Sequence, residues 1–259
     1  ALWDAPRKRL FLARDRIGIK PLYYYFAAGK LVFASEIKAI LRDRTVPRRL
    51  NRQAIYDYLG FEFTAAPETM FKDIRKLPAG SCAVLENREL TVKPYWDLSF
   101  TREPNKLCYE AAVEKEREML DEAVRTHLVS DVPLGVFLSG GLDSSTIVAL
   151  MRRHVSGTLR TFTIGYEDKT FSELEYAKQV ADVFGTEHHV LMIDSLKPDY
   201  IEQSLWHLDE PMTDLSAIPL FLVCRKAKEF ATVCLSGEGG DEIFAGYDRF
   251  KAARINGWY

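Results

Sequence analysis

The run Gly135-Val136-Phe137-Leu138-Ser139-Gly140-Gly141-Leu142-Asp143-Ser144-Ser145-Thr146 carries the densest chemistry in this 259-residue sequence. An apolar strand enters a glycine turn and passes straight into a helix, so Gly140 and Gly141 let the backbone approach an anion while the first helical amides point at it. Ser139, Ser144 and Ser145 add hydroxyl donors. Asp143 supplies a carboxylate where a Mg²⁺ bridging phosphate oxygens needs one. The Gly-Lys-[Ser/Thr] ending that holds a transferring γ-phosphoryl group is missing, so the cradle suits pyrophosphate as a leaving group. The plainer alternative is a ligand-free glycine-serine turn; strand, Ser-Gly-Gly, Asp and two serines opening a helix is the more specific pattern.

A second loop, Ser236-Gly237-Glu238-Gly239-Gly240-Asp241-Glu242, follows the apolar Val233-Cys234-Leu235. At a carboxyl edge of the same sheet it would bring Glu238 and Asp241 to the anion site. By itself it is equally a solvated acidic turn. Arg14-Asp15-Arg16, taken alone, reads as a salt-bridged turn, and His188-His189 lacks a carboxylate or thiolate at metal-ligand spacing. Trp206-His207-Leu208 reads as a helix face without a role. Cys82, Cys108, Cys224 and Cys234 form no CxxC pair and read as small buried hydrophobes in a reducing compartment.

The elements that must position these residues change character along the chain. Up to about Tyr95 the pattern is β-like: strands at Arg9 to Ala13, Leu22 to Phe26 and Leu31 to Ala34, with a hairpin turn at Ala28-Gly29-Lys30. Two helices interrupt it, one after Ser35 and one capped by Asn51 and ended at Gly60. A polar, Pro104-containing stretch breaks the periodicity, predicting a linker over 97–107 between a domain over 1–96 and a domain over 108–259. Beyond it, helices at Tyr109 to Leu128, from Ser145, at Glu173 to Phe184 and at Leu220 to Phe230 alternate with strands at Val132 to Leu138, Arg160 to Gly165, His189 to Ile193 and Ala231 to Leu235. Alternating helices and strongly apolar strands predict a parallel sheet covered on both faces, hence an α/β, doubly wound domain.

Composition sets the frame. Hydrophobic residues make up 47% and charged residues 28%, as in ordinary globular proteins. Lys and Arg total 35 against 37 Asp and Glu, a net charge of −2 that offers no footprint for a nucleic-acid backbone. The longest apolar stretch, Ala217 to Cys224, is far short of a membrane span, and no signal peptide opens the chain. A soluble, cytoplasmic protein with small-molecule partners is expected. The start at Ala1, within a strand, and the end at Trp258-Tyr259 without a helix stop read as a segment of a longer protein.

Ser139-Gly140-Gly141-Leu142-Asp143-Ser144 resembles the pyrophosphate loop of the ATP pyrophosphatases (adenine nucleotide α-hydrolase-like fold), which activate a carboxyl or carbonyl as an adenylate. With Asp131-Val132-Pro133-Leu134-Gly135 and Ser236 to Glu242, the chain is similar to the glutamine-hydrolysing asparagine synthetases. In that family picture the main chain at Ser236 and Gly237 packs against ATP, and Leu138 and Ile164 line the adenosine pocket. Ser139, Gly140, Gly141, Ser144 and Ser145 hold pyrophosphate. Asp143 and Asp241 meet Mg²⁺, and Glu238 faces ammonia and the acyl-adenylate. Ala13 to Tyr23 and Phe33 to Ala39 resemble the later part of a class II, N-terminal-nucleophile glutaminase domain of antiparallel sheet, where Asp15 holds the amino group of glutamine. Ile74 to Gly80 and Tyr95-Trp96 fit as a domain-ending turn and strand.

The resemblance implies ATP-dependent amidation of aspartate through β-aspartyl-AMP, with glutamine-derived ammonia and ATP, Mg²⁺, aspartate and glutamine as ligands; it is compatible with a homodimer. Three departures stand out. Ala1 occupies no nucleophile position, so this sequence alone is expected to lack glutaminase activity. The synthetase part stops after Tyr247-Asp248-Arg249, before a family lysine. In Asp209 to Ser216, Leu215 stands where some members carry an arginine for aspartate. Rival readings are a relative that adenylates another carboxylate, as in β-lactam-forming enzymes or other amidotransferases, and a non-catalytic nucleotide-binding module.

Overall fold

A computed structural model describes residues 1–99, 106–166, 173–193, 197–214 and 216–256. It divides into two compact units, Ala1–Pro104 with Ile201–Ala217, and Asn105–Tyr200 with Ile218–Tyr259. Position 215 and most of the expected linker lie outside the described residues, as do Trp258 and Tyr259. Among the described residues no helix is long and apolar enough to cross a membrane.

The first unit opens with strands β1 (Leu2–Asp4), β2 (Arg9–Ala13), β3 (Tyr23–Ala27) and β4 (Lys30–Ala34). Helices α1 (Ile37–Ile40) and α2 (Arg52–Phe61) precede strands β5 (Ile74–Lys76), β6 (Ser81–Glu86) and β7 (Glu89–Pro94). Two antiparallel sheets result, ordered β1-β2-β6-β7 and β4-β3-β5. Successive side chains of a strand point to opposite faces, and here both faces of β3 are buried. Tyr24 packs with Leu12, Leu77 and Ala83, whereas Tyr25 packs with Ile37, Ile40 and Ile74 against α1. Asn51 caps α2 through Ala54 N–H, as expected from its side chain. Gly60 does not end that helix: it continues to Phe61, and Glu62 takes the left-handed closing conformation (φ 68).

In the second unit α3 (Tyr109–His127) leads to β8 (Leu134–Phe137), α4 (Leu142–His154) and β9 (Arg160–Tyr166), then α5 (Leu174–Phe184) and β10 (Glu187–Ile193). After α6 (Pro198–Leu208), which crosses into the first unit, come α7 (Ala217–Ala227), β11 (Val233–Leu235), α8 (Gly240–Phe244) and α9 (Asp248–Asn256). The sheet is wholly parallel in the order β10-β9-β8-β11. On one face Val136 and Leu138 pack with Val124, Val148, Met151, Ala177 and Ala181 from α3, α4 and α5. On the other, Phe162 packs with Val223 and Ala227 of α7. Burial on both faces explains why these strands lack polar alternation.

The strand order has a functional consequence. From β8 the chain moves through β9 to β10 in one direction, then returns to add β11 on the other side of β8. The topological switch point therefore lies between β8 and β11, with Leu235 registered on Val136. Open α/β sheets bind ligands outside the carboxyl ends of the strands at such a point. The loops after β8 and β11 are the ones singled out by their sequence.

Candidate active site

The loop after β8 folds on itself through its hydroxyls. Ser139 and Ser144 Oγ lie 3.0 Å apart, Gly141 N–H donates to Ser139 Oγ at 3.2 Å, and Ser144 Oγ donates to the Gly141 carbonyl at 3.2 Å. Gly140 takes φ +86, and a Cβ there would meet Ala177 N at 2.5 Å and Tyr176 Cβ at 2.6 Å. The start of α5 thus presses on the turn so closely that only glycine fits. Tyr176 carries no sequence signal for this role, because the contact depends on where α5 docks. The helix after the turn starts at Leu142, earlier than the expected Ser145, which places Asp143, Ser144 and Ser145 in its first turn. Ser145 Oγ is buried and has no hydrogen-bond partner among the described residues. A buried donor left unpaired is costly unless something else accepts from it.

The two loops touch. A Cβ on Gly237 would lie 2.9 Å from Ser144 N and 3.0 Å from Asp143 Cβ. One on Gly240 would lie 2.5 Å from both Cγ and Oδ2 of Asp143. The absence of side chains at 237 and 240 therefore lets the second loop rest on the Asp143 carboxylate. Asp241 follows Gly240 directly, though its own Oδ1 lies against Gly246. Glu238 is exposed, and its N–H is oriented by Ser236 Oγ at 3.4 Å. Beyond it Tyr247 O–H donates to Glu242 Oε1 at 2.9 Å.

The two expected adenosine-pocket positions behave differently. Leu138 is 1% exposed, with its side chain in the core; its N–H donates to Phe162 O at 2.9 Å and its carbonyl accepts from Thr163 Oγ1. Its main chain ties the start of the turn to β9. Ile164 is half-buried between two clusters of the opposite face.

Asp15 lies in the first unit, where its carboxylate organises a turn. Ile19 N–H donates to Oδ2 and Lys20 N–H to Oδ1, each at 2.9 Å. Burial pushes its pKa up, but the backbone donors Lys20, Ile19 and Gly18 outweigh it, so the net shift is downward and the negative charge is retained. Arg14, read in sequence as a salt-bridge partner, instead donates to the carbonyls of Lys20 (2.9 Å), Leu77 (2.8 Å) and Gly18 (2.7 Å). The turn is held by its amides through Asp15 and by its carbonyls through Arg14.

No cluster of three or more metal-ligating side chains occurs among the described residues, and His188 has another partner. Its Nδ1 lies 2.8 Å from Thr161 Oγ1, and burial holds its pKa below the usual histidine value. The four cysteines are free thiols, but none is buried as expected: Cys108 and Cys224 are exposed, Cys82 and Cys234 half-buried. Partial desolvation of the sulfur pushes the Cys224 thiol up and the Cys234 thiol to about 11. Neither suits a nucleophile.

A doubly wound parallel sheet with a glycine-serine turn at its switch point, in a chain that also carries an antiparallel β unit, defines an α/β protein. Residues 115–259 match the family described as Asparagine synthase, and residues 1–96 match a Glutamine amidotransferase domain. The chain belongs to the asparagine synthase family. It is 37% identical to a putative glutamine-hydrolyzing asparagine synthetase 2 of Methanocaldococcus jannaschii, covering 95% of this chain and 48% of that protein. Against the glutamine-hydrolyzing asparagine synthetase 1 of Bacillus subtilis the identity is 36%, over 96% of this chain and 39% of that one. The amidase chyE of Penicillium rubens is 35% identical over 97% of this chain and 40% of its own length. The chain thus spans about half the length, or less, of these relatives.

Proposed function

We propose that this chain is part of an enzyme that converts aspartate to asparagine with ATP and glutamine-derived ammonia. The observation that carries the reading is the packing of Gly237 and Gly240 onto Asp143, which assembles both loops at the switch point. Membership of the asparagine synthase family supports the same chemistry.

In this reading the Ser139–Ser145 turn receives the phosphates. Gly140 lets the turn lie against α5, the first amides of α4 face the anion, and the unpaired Ser145 hydroxyl finds its acceptor there. The side-chain carboxylate of aspartate attacks the α-phosphorus, and the α–β bridging bond breaks to give β-aspartyl-AMP and pyrophosphate. Ammonia then adds to the acyl carbon, the bond to AMP breaks, and Glu238 accepts the proton the nitrogen sheds. Ser236 and Gly237 face the nucleotide with main chain, and Ile164 borders the adenosine.

Mg²⁺ takes one or two carboxylates with phosphate oxygens and water; Asp143, against which Gly240 packs, and Asp241, the next residue along the second loop, would hold it. When bound it neutralises charge growing on the leaving pyrophosphate. In the first unit, Asp15 keeps its charge and offers its remaining lone pairs to the ammonium of glutamine.

A second reading, adenylation of a different carboxylate, draws on the similarity to the amidase at about the same identity as to the synthetases. Position 215, where an arginine would mark an aspartate site, lies outside the described residues. The discriminating experiment supplies candidate acids one at a time to the full-length protein with ATP and measures pyrophosphate release. Release with aspartate and glutamine or ammonia, yielding asparagine, supports the proposal. Release only with another acid rejects aspartate, and no release with any acid rejects adenylation.

A further inference from the structure

The segment Ile201–Ala217 lies within the residues matching Asparagine synthase, yet it belongs to the compact unit built on Ala1–Pro104. Two consecutive carboxylates, Asp209 and Glu210, fasten it there. Asp209 closes α6 in the left-handed region (φ 63), and the two side chains reach different elements. Asp209 Oδ2 accepts Ile37 N–H at 2.7 Å at the start of α1, and its Oδ1 lies 2.9 Å from Lys38 Nζ. Glu210 Oε1 accepts Met70 N–H at 2.8 Å, and its Oε2 lies 2.8 Å from Lys76 Nζ. Their side chains are only 8% and 10% exposed. Buried carboxylates are tolerable only when paired and hydrogen-bonded, and each has one lysine and at least one backbone amide.

The fastening leads to the Asp15 turn. Lys76 precedes Leu77, whose carbonyl accepts Arg14 Nη1, and Arg14 holds the carbonyls of Gly18 and Lys20 while Asp15 holds the amides of Ile19 and Lys20. Tyr23, registered opposite Lys76 on β3, lies in the same cluster. Its hydroxyl is raised in pKa by burial first, then by Glu210 and Asp209, and is lowered by Arg14. Glu210 thus reaches the Asp15 turn through the Lys76 ion pair, the main chain from Lys76 to Leu77 and the Arg14 guanidinium, while Asp209 fastens the same strap to the start of α1.

We propose that Asp209 and Glu210 are positioning residues for glutamine: a strap contributed by the asparagine synthase portion completes the amidotransferase unit and holds the Asp15 turn through Lys76 and Arg14. The claim rests on Asp15 being the glutamine contact. It predicts that glutamine use depends on residues far along the chain that never touch glutamine.

The test is Glu210→Gln in the full-length protein. Glutamine keeps the size of the side chain and an acceptor for Met70 N–H but removes the counter-charge of Lys76. Hydrogen exchange at the Ile19 and Lys20 amides should accelerate, and KM for glutamine should rise about 5-fold or more, the low end of coupling between sites. Ammonia-dependent synthesis should hold its kcat and ammonia KM. Unchanged exchange at Ile19 and Lys20, or equal loss of glutamine- and ammonia-dependent synthesis, would overturn the proposal.

A measurement on the unaltered protein guards against a variant that does not fold. The amides of Ile37, Met70, Ile19 and Lys20 should open in one cooperative step; exchange from widely separated opening free energies rejects the strap. Asp15→Asn separates the two claims. If it leaves KM for glutamine unchanged, the reading of Asp15 fails, while the exchange data still decide whether the strap holds the turn.

Discussion

Gly240→Ala adds one methyl to the place where the second loop meets the first. Built on the existing backbone, that carbon lies 2.5 Å from Cγ and Oδ2 of Asp143. Carbon–oxygen contacts are comfortable at about 3.3–3.6 Å, so the carboxylate must retreat by about 1 Å. Asp143 is half-buried in the first turn of α4 and the clash is with the end of its side chain and not with backbone, so the fold should survive. Overpacking costs about 1–3 kcal/mol, and alanine in place of glycine in a helix returns at most about 1 kcal/mol. The net destabilisation is about 0–3 kcal/mol, a fall in Tm of no more than about 12 °C. The chemistry is less forgiving, since a displacement of about 1 Å at a reacting centre costs roughly a hundredfold in rate. The assay is pyrophosphate release from ATP and aspartate by the full-length variant, with thermal denaturation in parallel. Gly157→Ala, which meets nothing within 4 Å, is the control. Gly240→Ala turning over at the parental rate, or losing activity only in step with unfolding, would refute the idea that this contact sets Asp143.

Asp143→Asn should lower pyrophosphate release by about a hundredfold or more with an unchanged circular dichroism spectrum, because it removes charge aimed at the leaving group; near-parental turnover would end its assignment to the metal. Glu238→Gln should reduce amide formation from ammonia far more than ATP affinity, measured by nucleotide titration against asparagine yield, and an equal fall in both would make Glu238 a binding residue. Burial, opposed by Asp182 and reinforced by His189, lowers the pKa of His188, so the folded state binds fewer protons there than the unfolded chain. Its contribution to stability is therefore complete above the unfolded value of about 6.5 and is lost as pH falls below it. His188→Gln should flatten the fall in denaturation midpoint between about pH 6.5 and 5, whereas an unaltered slope would place the titration elsewhere.

The sequence by itself determined what depends on near neighbours. Glycine punctuation placed the turn after β8, Asn51 announced the start of α2, and apolar runs located the parallel strands to within a few residues, because caps, turns and periodicity are set by positions one to four apart. Its errors were at ends, where neighbours compete: α4 starts at Leu142, while β8 and β11 are shorter than their apolar runs. It also announced both site loops by residue type, yet nothing local puts β11 beside β8 rather than beyond β10. Tertiary packing decided that adjacency, and with it the meeting of Gly237 and Gly240 with Asp143. Strands β6 and β7 went unread as a pair although they are neighbours, Glu86 opposite Glu89, because their two-residue turn is Asn87-Arg88, with both residues at positive φ and no glycine to announce it. The Asp209–Glu210 strap was the least legible feature, since its backbone donors stand 172 and 140 residues away in the chain. A carboxylate's role is set by the charges and amides around it, and only the folded chain brings these together.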